Sequence, residues 1–313
     1  MEKNTVVCRK KTSIGGQAVL EGIMMRGPLE SALSVRKQDG TILTETWKTA
    51  QKDKWYKKAP FIRGVFAFLD SITTGYRCLM RSADLAGLSE EEQETKFERW
   101  VKKKFGKSAM AFVGAVSVVL SVILALGLFM VLPMLAVKGL DMLVPLGGWK
   151  TVIEGVLKIA IFIAYVGFCA SVKDVRKTFE YHGAEHKCIF AYEAGLPLTV
   201  ENVRIQRRFH PRCGTSFLLI VMILSILIFS VVTWDNVLIR ILLKLALLPV
   251  VCGISYELIK LAGRYTNVFT RIISAPGLWL QRLTTREPDD GEIEVAITAL
   301  ERVIPDDPTL DIY

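Results

Sequence analysis

Residues 109–137, AMAFVGAVSVVLSVILALGLFMVLPMLAV, run for 29 positions without a charged side chain, and no other feature constrains the chain as strongly. A helix rises about 1.5 Å per residue, so roughly 20 apolar residues cross the hydrocarbon core of a bilayer. Residues 216–234, SFLLIVMILSILIFSVVTW, form a second uncharged run of 19. In lipid a backbone must satisfy its own hydrogen bonds, which favours helix for both. Two weaker runs accompany them. Residues 152–172 carry Glu154 and Lys158, spaced i,i+4 and able to pair on one helix face. Residues 237–258 carry Arg240 and Lys244, with Pro249 and Gly253 further in. The expectation is a mainly α-helical, polytopic membrane protein with about four transmembrane helices.

Average composition conceals this pattern. The chain is 51% hydrophobic and 23% charged, with a mean hydropathy of +0.35. That apolar content excludes global disorder, and 23 Gly and 11 Pro without a period exclude a collagen-like chain. Six Cys in 313 residues make no disulfide scaffold. The formal net charge is +9, and residues 1–108 alone hold 21 Lys/Arg against 13 Asp/Glu. Basic residues also alternate between loops. Arg99, Lys102, Lys103, Lys104 and Lys107 precede the first span, and eight Lys/Arg fall in 173–215, whereas 138–151 holds only Lys138 and Lys150. The positive-inside rule then predicts that both termini and the 173–215 loop are cytoplasmic. Cys8, Cys78, Cys188 and Cys213 would then be reduced thiols. The expected partners are membrane lipids and other membrane proteins, not nucleic acid, because the positive excess sits beside the first span. The polar start MEKNTVVCRKK does not read as a secretory signal.

Outside the spans, residues 1–58 read as a β-rich subdomain. ALSVRK and TILTETW alternate around Gln38-Asp39-Gly40, the pattern of a β-hairpin over 32–47. Before it, SIGGQAVLEGIMMRGP suggests strand and tight turns, with Glu21 and Arg26 as its polar groups. Residues 60–87 are an amphipathic helical stretch within a 59–108 segment that ends in the acidic linker 89–94 and the Lys run. After the spans (109–258), residues 259–313 form an interfacial and acidic tail. Leu278, Trp279 and Leu283 serve there as anchors, 291–304 reads as a short amphipathic helix, and the acidic balance of the tail makes its end a solvated helix.

The chemistry gathers in one loop. The only three histidines are His182, His186 and His210. His182 and His186 are i,i+4 and share a helix face, and His210 and Cys213 have an H-x-x-C spacing. Imidazole and thiolate are the usual ligands of zinc, three plus water in catalytic sites and four in structural ones. The string His182-Gly-Ala-Glu-His186 also fits the inverted zinc-peptidase pattern H-x-x-E-H, in which the Glu activates water at the metal. Glu185 is thus the candidate general base. His182, His186, His210 and Cys213 are candidate ligands of zinc or another divalent metal. Glu193 and Glu21 are candidates for supporting carboxylates. Arg207, Arg208 and Arg212 crowd the same segment and can hold a phosphate-like anion. The plainer alternative has the histidines bonded to lipid or backbone, with Cys213 a small buried residue. A middle reading keeps a structural metal that pins the loop.

Several strings give the chain a family resemblance: GGQAVLEGIMMRGP (15–28), PFIRGVFAFLDSITTGYRCLMRSA (60–83), YHGAEHKCIFAYE (181–193), HPRCGTSFL (210–218) and PGLWLQRLTTREPDDGEIEVAITALE (276–301). With LTVENVR (198–204) and YELIKLAG (256–263), it resembles the YqhQ-like family of bacterial membrane proteins, a domain of unknown function labelled a predicted metal-dependent enzyme. That resemblance implies a metal and a multi-pass location in the bacterial inner membrane. Two functions follow as expectations: a metal-dependent hydrolase, or a non-enzymatic membrane scaffold or regulator with a structural metal. A transporter ranks below both, because the span charges cluster toward the predicted outer ends.

Overall fold

The computed structural model describes residues 11–49, 55, 59–88, 107–230, 237–265 and 267–311. The acidic linker 89–94, Arg99, Lys102 to Lys104, Cys8, the turn at Asp235-Asn236 and the side chain of Arg240 lie outside the described residues.

Four strands follow one another in an antiparallel sheet whose order is that of the sequence: β1 (Gly15–Val19), β2 (Gly22–Arg26), β3 (Glu30–Arg36) and β4 (Ile42–Lys48). The hairpin expected over 32–47 is β3–β4, and the glycine-rich stretch before it adds two further strands. Side chains alternate across a strand, which sends Met24 and Leu33 to one face and Ile23, Met25 and Ala32 to the other. Both faces are covered, so β2 and β3 carry buried residues at consecutive positions.

The first face meets the helix α1 (Ile62–Leu85) through Cys78, with Ala86 just beyond the helix. The second face meets two helices, α5 (Lys173–Glu193) and α10 (Asp290–Glu301). The amphipathic helix expected over 291–304 is α10, but its placement corrects the reading of this acidic end as solvated. Ile293, Val295, Ala296, Ala299 and Leu300 are fully buried at the centre of the soluble core. Burying each of the larger of these stabilises the fold by about 1.5–3 kcal/mol. The acidic residues collect at the start of the helix instead. Asp289 caps it and Glu292 closes the capping box, where carboxylates suit the N-terminal dipole.

The apolar helices are α2 (Lys107–Leu126), α3 (Leu132–Leu143), α4 (Lys150–Cys169), α7 (Gly214–Ser230) and α8 (Val237–Arg264). A π-helical turn, Gly127–Val131, joins α2 to α3 just ahead of Pro133, whose missing N–H breaks the regular ladder. Among the described residues, Val116–Leu143, Gly147–Cys169 and Leu242–Arg264 are long and apolar enough to cross a membrane. Gly214–Phe229 is apolar but shorter, so three such helices stand where the sequence suggests about four. α7 packs against α4, α8 and a further helix, α9 (Val268–Thr284). Between α4 and α8, Lys244 Nζ meets Glu154 Oε1 at 2.5 Å, and both side chains are buried. A short α6 (Val200–Arg204) completes the set and packs on α5 and α10.

Candidate metal centre

The segment 178–193 is no open loop. It is all of α5 beyond its first five residues, and nearly every residue from Tyr181 to Glu193 is buried. One helical turn separates His182 from His186, and their ring centroids are 4.5 Å apart. Cys213 comes from the other direction, immediately before the first residue of α7. One donor atom from each of His182, His186 and Cys213 lies within 4.8 Å of the others, so the three can hold a metal ion.

Backbone carbonyls fix the orientation of both imidazoles. His182 Nδ1 is 2.8 Å from the carbonyl of Thr284, and His186 Nδ1 is 2.5 Å from the carbonyl of Arg208. A carbonyl only accepts, so each Nδ1 carries a proton, and in the neutral ring Nε2 is then the nitrogen with the lone pair. His182 Nε2 points that lone pair at Cys213 Sγ, 3.2 Å away. Metal-bound histidines are ordinarily held in this way, with the far nitrogen donating to a carbonyl or carboxylate. The Cys213 sulfur is also approached by the Thr215 hydroxyl at 3.2 Å and the Thr215 N–H at 3.4 Å. Two imidazoles and a thiol form a donor set suited to zinc and similar transition metals rather than to magnesium or calcium.

A glycine makes the carbonyl contact possible. A Cβ on Gly183 would lie 2.0 Å from the carbonyl oxygen of Arg286, so only glycine lets the segment after α9 run flat against α5. Along that contact Arg286 N donates to the Phe179 carbonyl at 2.8 Å. The Thr284 carbonyl is thereby delivered to His182.

The other expected residues surround this group in different ways. Glu185 is buried, and its Oε1 accepts from the Gly16 N–H of β1 at 3.0 Å. Burial pushes its carboxyl above the usual range, against the pull of His182 and of that N–H. His210 stands outside the three-residue group. Its ring packs on Phe190 at 4.7 Å, its Nδ1 accepts from Arg212 N at 3.3 Å, and its Nε2 is 4.0 Å from Glu193 Oε2. Burial pushes His210 down to about 4, although Glu193 draws it upward. Burial would raise Glu193, but His210, the Arg212 guanidinium and the Thr12 N–H together hold it at about 2. Arg212 pairs directly with Glu193, and Arg208 pairs with Glu287 at 3.2 Å. Arg207 lies over the Phe190 ring at 4.6 Å. Glu21 meets α5 at Lys177 (2.6 Å) and at the Tyr181 hydroxyl (3.4 Å).

Two contributors escape sequence reasoning. Thr284 acts through its carbonyl, which no residue type announces. Gln281 receives the His210 N–H at Oε1 and donates from Nε2 to the His210 carbonyl, both at 2.8 Å. Gly183, inside H-x-x-E-H, is the one readable trace of this packing.

The structure defines a mainly helical protein in which a small sheet and its covering helices carry a His/His/Cys group beside apolar helices of membrane-crossing length. The family model described as "Protein of unknown function (DUF1385)" matches residues 59–306, and the chain belongs to that family. It is also 36% identical over 295 residues to "Uncharacterized protein YqhQ" of Bacillus subtilis (strain 168), covering 93% of this chain and 92% of that relative. No solved structure matches the chain.

Proposed function

We propose that the protein is a zinc-dependent hydrolase of the bacterial inner membrane, with four spans, both termini cytoplasmic and the metal site at the cytoplasmic interface. The observation that carries the metal is the pair of backbone-anchored imidazoles, His182 and His186, which with Cys213 bring one donor atom each within 4.8 Å of one another. The distribution of Lys/Arg along the chain supports the orientation. In this reading α7 is the third span, overlapping the uncharged sequence run 216–234.

His182, His186 and Cys213 would hold the ion and leave one position open. Zinc supplies Lewis acidity there and lowers the proton affinity of water. Glu185 is the base. The Gly16 N–H holds Oε1, which leaves Oε2 to take the proton from water. His182, half-buried while His186 and Cys213 are buried, is the edge from which water enters. Glu193 fixes Arg212 and, through it, His210. Arg207, exposed on Phe190, meets an anionic group of the substrate.

The runner-up is a structural metal in a membrane scaffold or regulator. The burial of His186, Cys213 and Glu185 favours it. Cobalt substitution separates the two readings. An open position makes the visible bands of the Co(II) protein shift when azide is added. A closed shell of four protein ligands gives no shift, and in that case Glu185→Gln is as functional as wild type in complementing cells that lack the gene.

A further inference from the structure

Two amphipathic helices outside the apolar bundle grip the same turn of α7. Phe68 of α1 stacks on Phe217 at 5.5 Å, and a Cβ on Gly277 of α9 would strike Ser216 at 2.2 Å. α1 is also seated on α8, where Gly64 abuts Gly253 and Tyr256 and Arg63 is clamped by Glu257. Each helix buries one face in these contacts. On α9 that face is Thr270, Ser274, Gly277, Gln281 and Thr284, spaced as one side of a helix.

The opposite faces are apolar and exposed. On α1 they include Phe66 (41%), Leu69 (51%) and Tyr76 (61%), and on α9 Phe269 (56%) and Ile272 (66%). Soluble proteins seldom leave such stripes in water. Both stripes adjoin the ends of α7 and α8, whose outer surfaces are themselves apolar, and the exposed cations Arg271 and Arg282 flank the α9 stripe. Apolar side chains edged by arginine suit the boundary between acyl chains and anionic headgroups.

We propose that α1 and α9 lie in the cytoplasmic interface of the bilayer, with phospholipid as the occupant of both outward stripes. This rests on the membrane reading above. Its consequence is mechanical. α9 touches lipid on one side, and on the other its last turn presents the Thr284 carbonyl to His182 and Gln281 to His210. The metal group therefore sits one helix away from the headgroups, within reach of a substrate that is itself an amphiphile.

Photocrosslinking tests this on the full chain in its own membranes. Benzoylphenylalanine is placed at Phe66, at Ile272, at Leu124 in the first apolar helix, and at Glu201 on the exposed side of α6. After irradiation, intact-protein mass spectrometry should show a phospholipid adduct at Phe66, Ile272 and Leu124 several-fold above that at Glu201. Adducts at Leu124 alone would overturn the interfacial placement while leaving the spans intact. A product of twice the chain mass from Phe66 or Ile272 would assign the stripes to a second copy and overturn it as well. Absence of lipid at Leu124 would overturn the membrane reading itself, and the proposal with it.

Discussion

The carbonyls of Thr284 and Arg208 decide what His182 and His186 can do, because they fix which nitrogen keeps its lone pair. The side chain that permits the first of these is a hydrogen atom, that of Gly183. Gly183→Ala should push the 284–288 segment away from α5, costing about 1–3 kcal/mol of stability. It should also weaken metal affinity by about 10–100-fold, the usual loss when a supporting hydrogen bond to a ligand is removed. Thermal melts and chelator competition check both. An alanine variant that binds metal as wild type does would show that Thr284 is not needed to orient His182. At this scale the sequence exposes the candidate ligands and hides their supports. His182, His186 and Cys213 are conspicuous as residue types, whereas a main-chain carbonyl or Gln281 leaves no mark until the chain is folded.

α10 shows how charge counting misleads at the level of an element. The tail from 257 holds ten Asp/Glu against six Lys/Arg, yet its helix is the centre of the core. The carboxylates gather at its N-terminus, and the apolar residues occupy more than one side. Glu292, half of the capping box, bears the cost of this placement. Burial first, and then Asp289 and Glu180, push its carboxyl up to about 7, from an ordinary value of 4.5, although the Asp289 N–H draws it down. A folded value above the unfolded one means that its contribution is fully present below pH 4.5 and is lost as pH rises through about 7. Glu292→Gln, which preserves the cap acceptor, should therefore raise the melting temperature at pH 8 and leave it unchanged near pH 4. An equal effect at both values would rule out titration as the cause.

The Lys244–Glu154 pair belongs to the same scale, joining α4 to α8. The sequence places both residues in weak spans, but pairs Glu154 with Lys158 by i,i+4 spacing; the structure shows the bond crossing between helices instead. Glu154→Gln alone leaves a buried ammonium without its partner and should cost about 3–5 kcal/mol. Adding Lys244→Met should restore most of the loss in detergent melts. Additive losses would contradict a coupled pair.

For the whole molecule, the apolar runs were legible because length and the lack of charge are enough to mark a helix that can cross a bilayer. The sheet was half legible. The 32–47 hairpin shows its alternation, whereas β2 is buried on both faces and runs on from the mostly half-buried β1 as one glycine-rich apolar string. Least legible was assembly. Residues 169 positions apart, Gly16 on β1 and Glu185 on α5, meet only because the sheet lies across α5. The account as a whole depends on that assembly creating a metal site from His182, His186 and Cys213. Metal content measured in the protein purified without chelators tests this most directly. The expected result is about one transition-metal ion per chain in wild type and in Glu185→Gln, and almost none in His182→Ala or Cys213→Ser of the same melting profile in chelator. A wild-type protein free of metal, or a Cys213→Ser variant that retains the full amount, would contradict it.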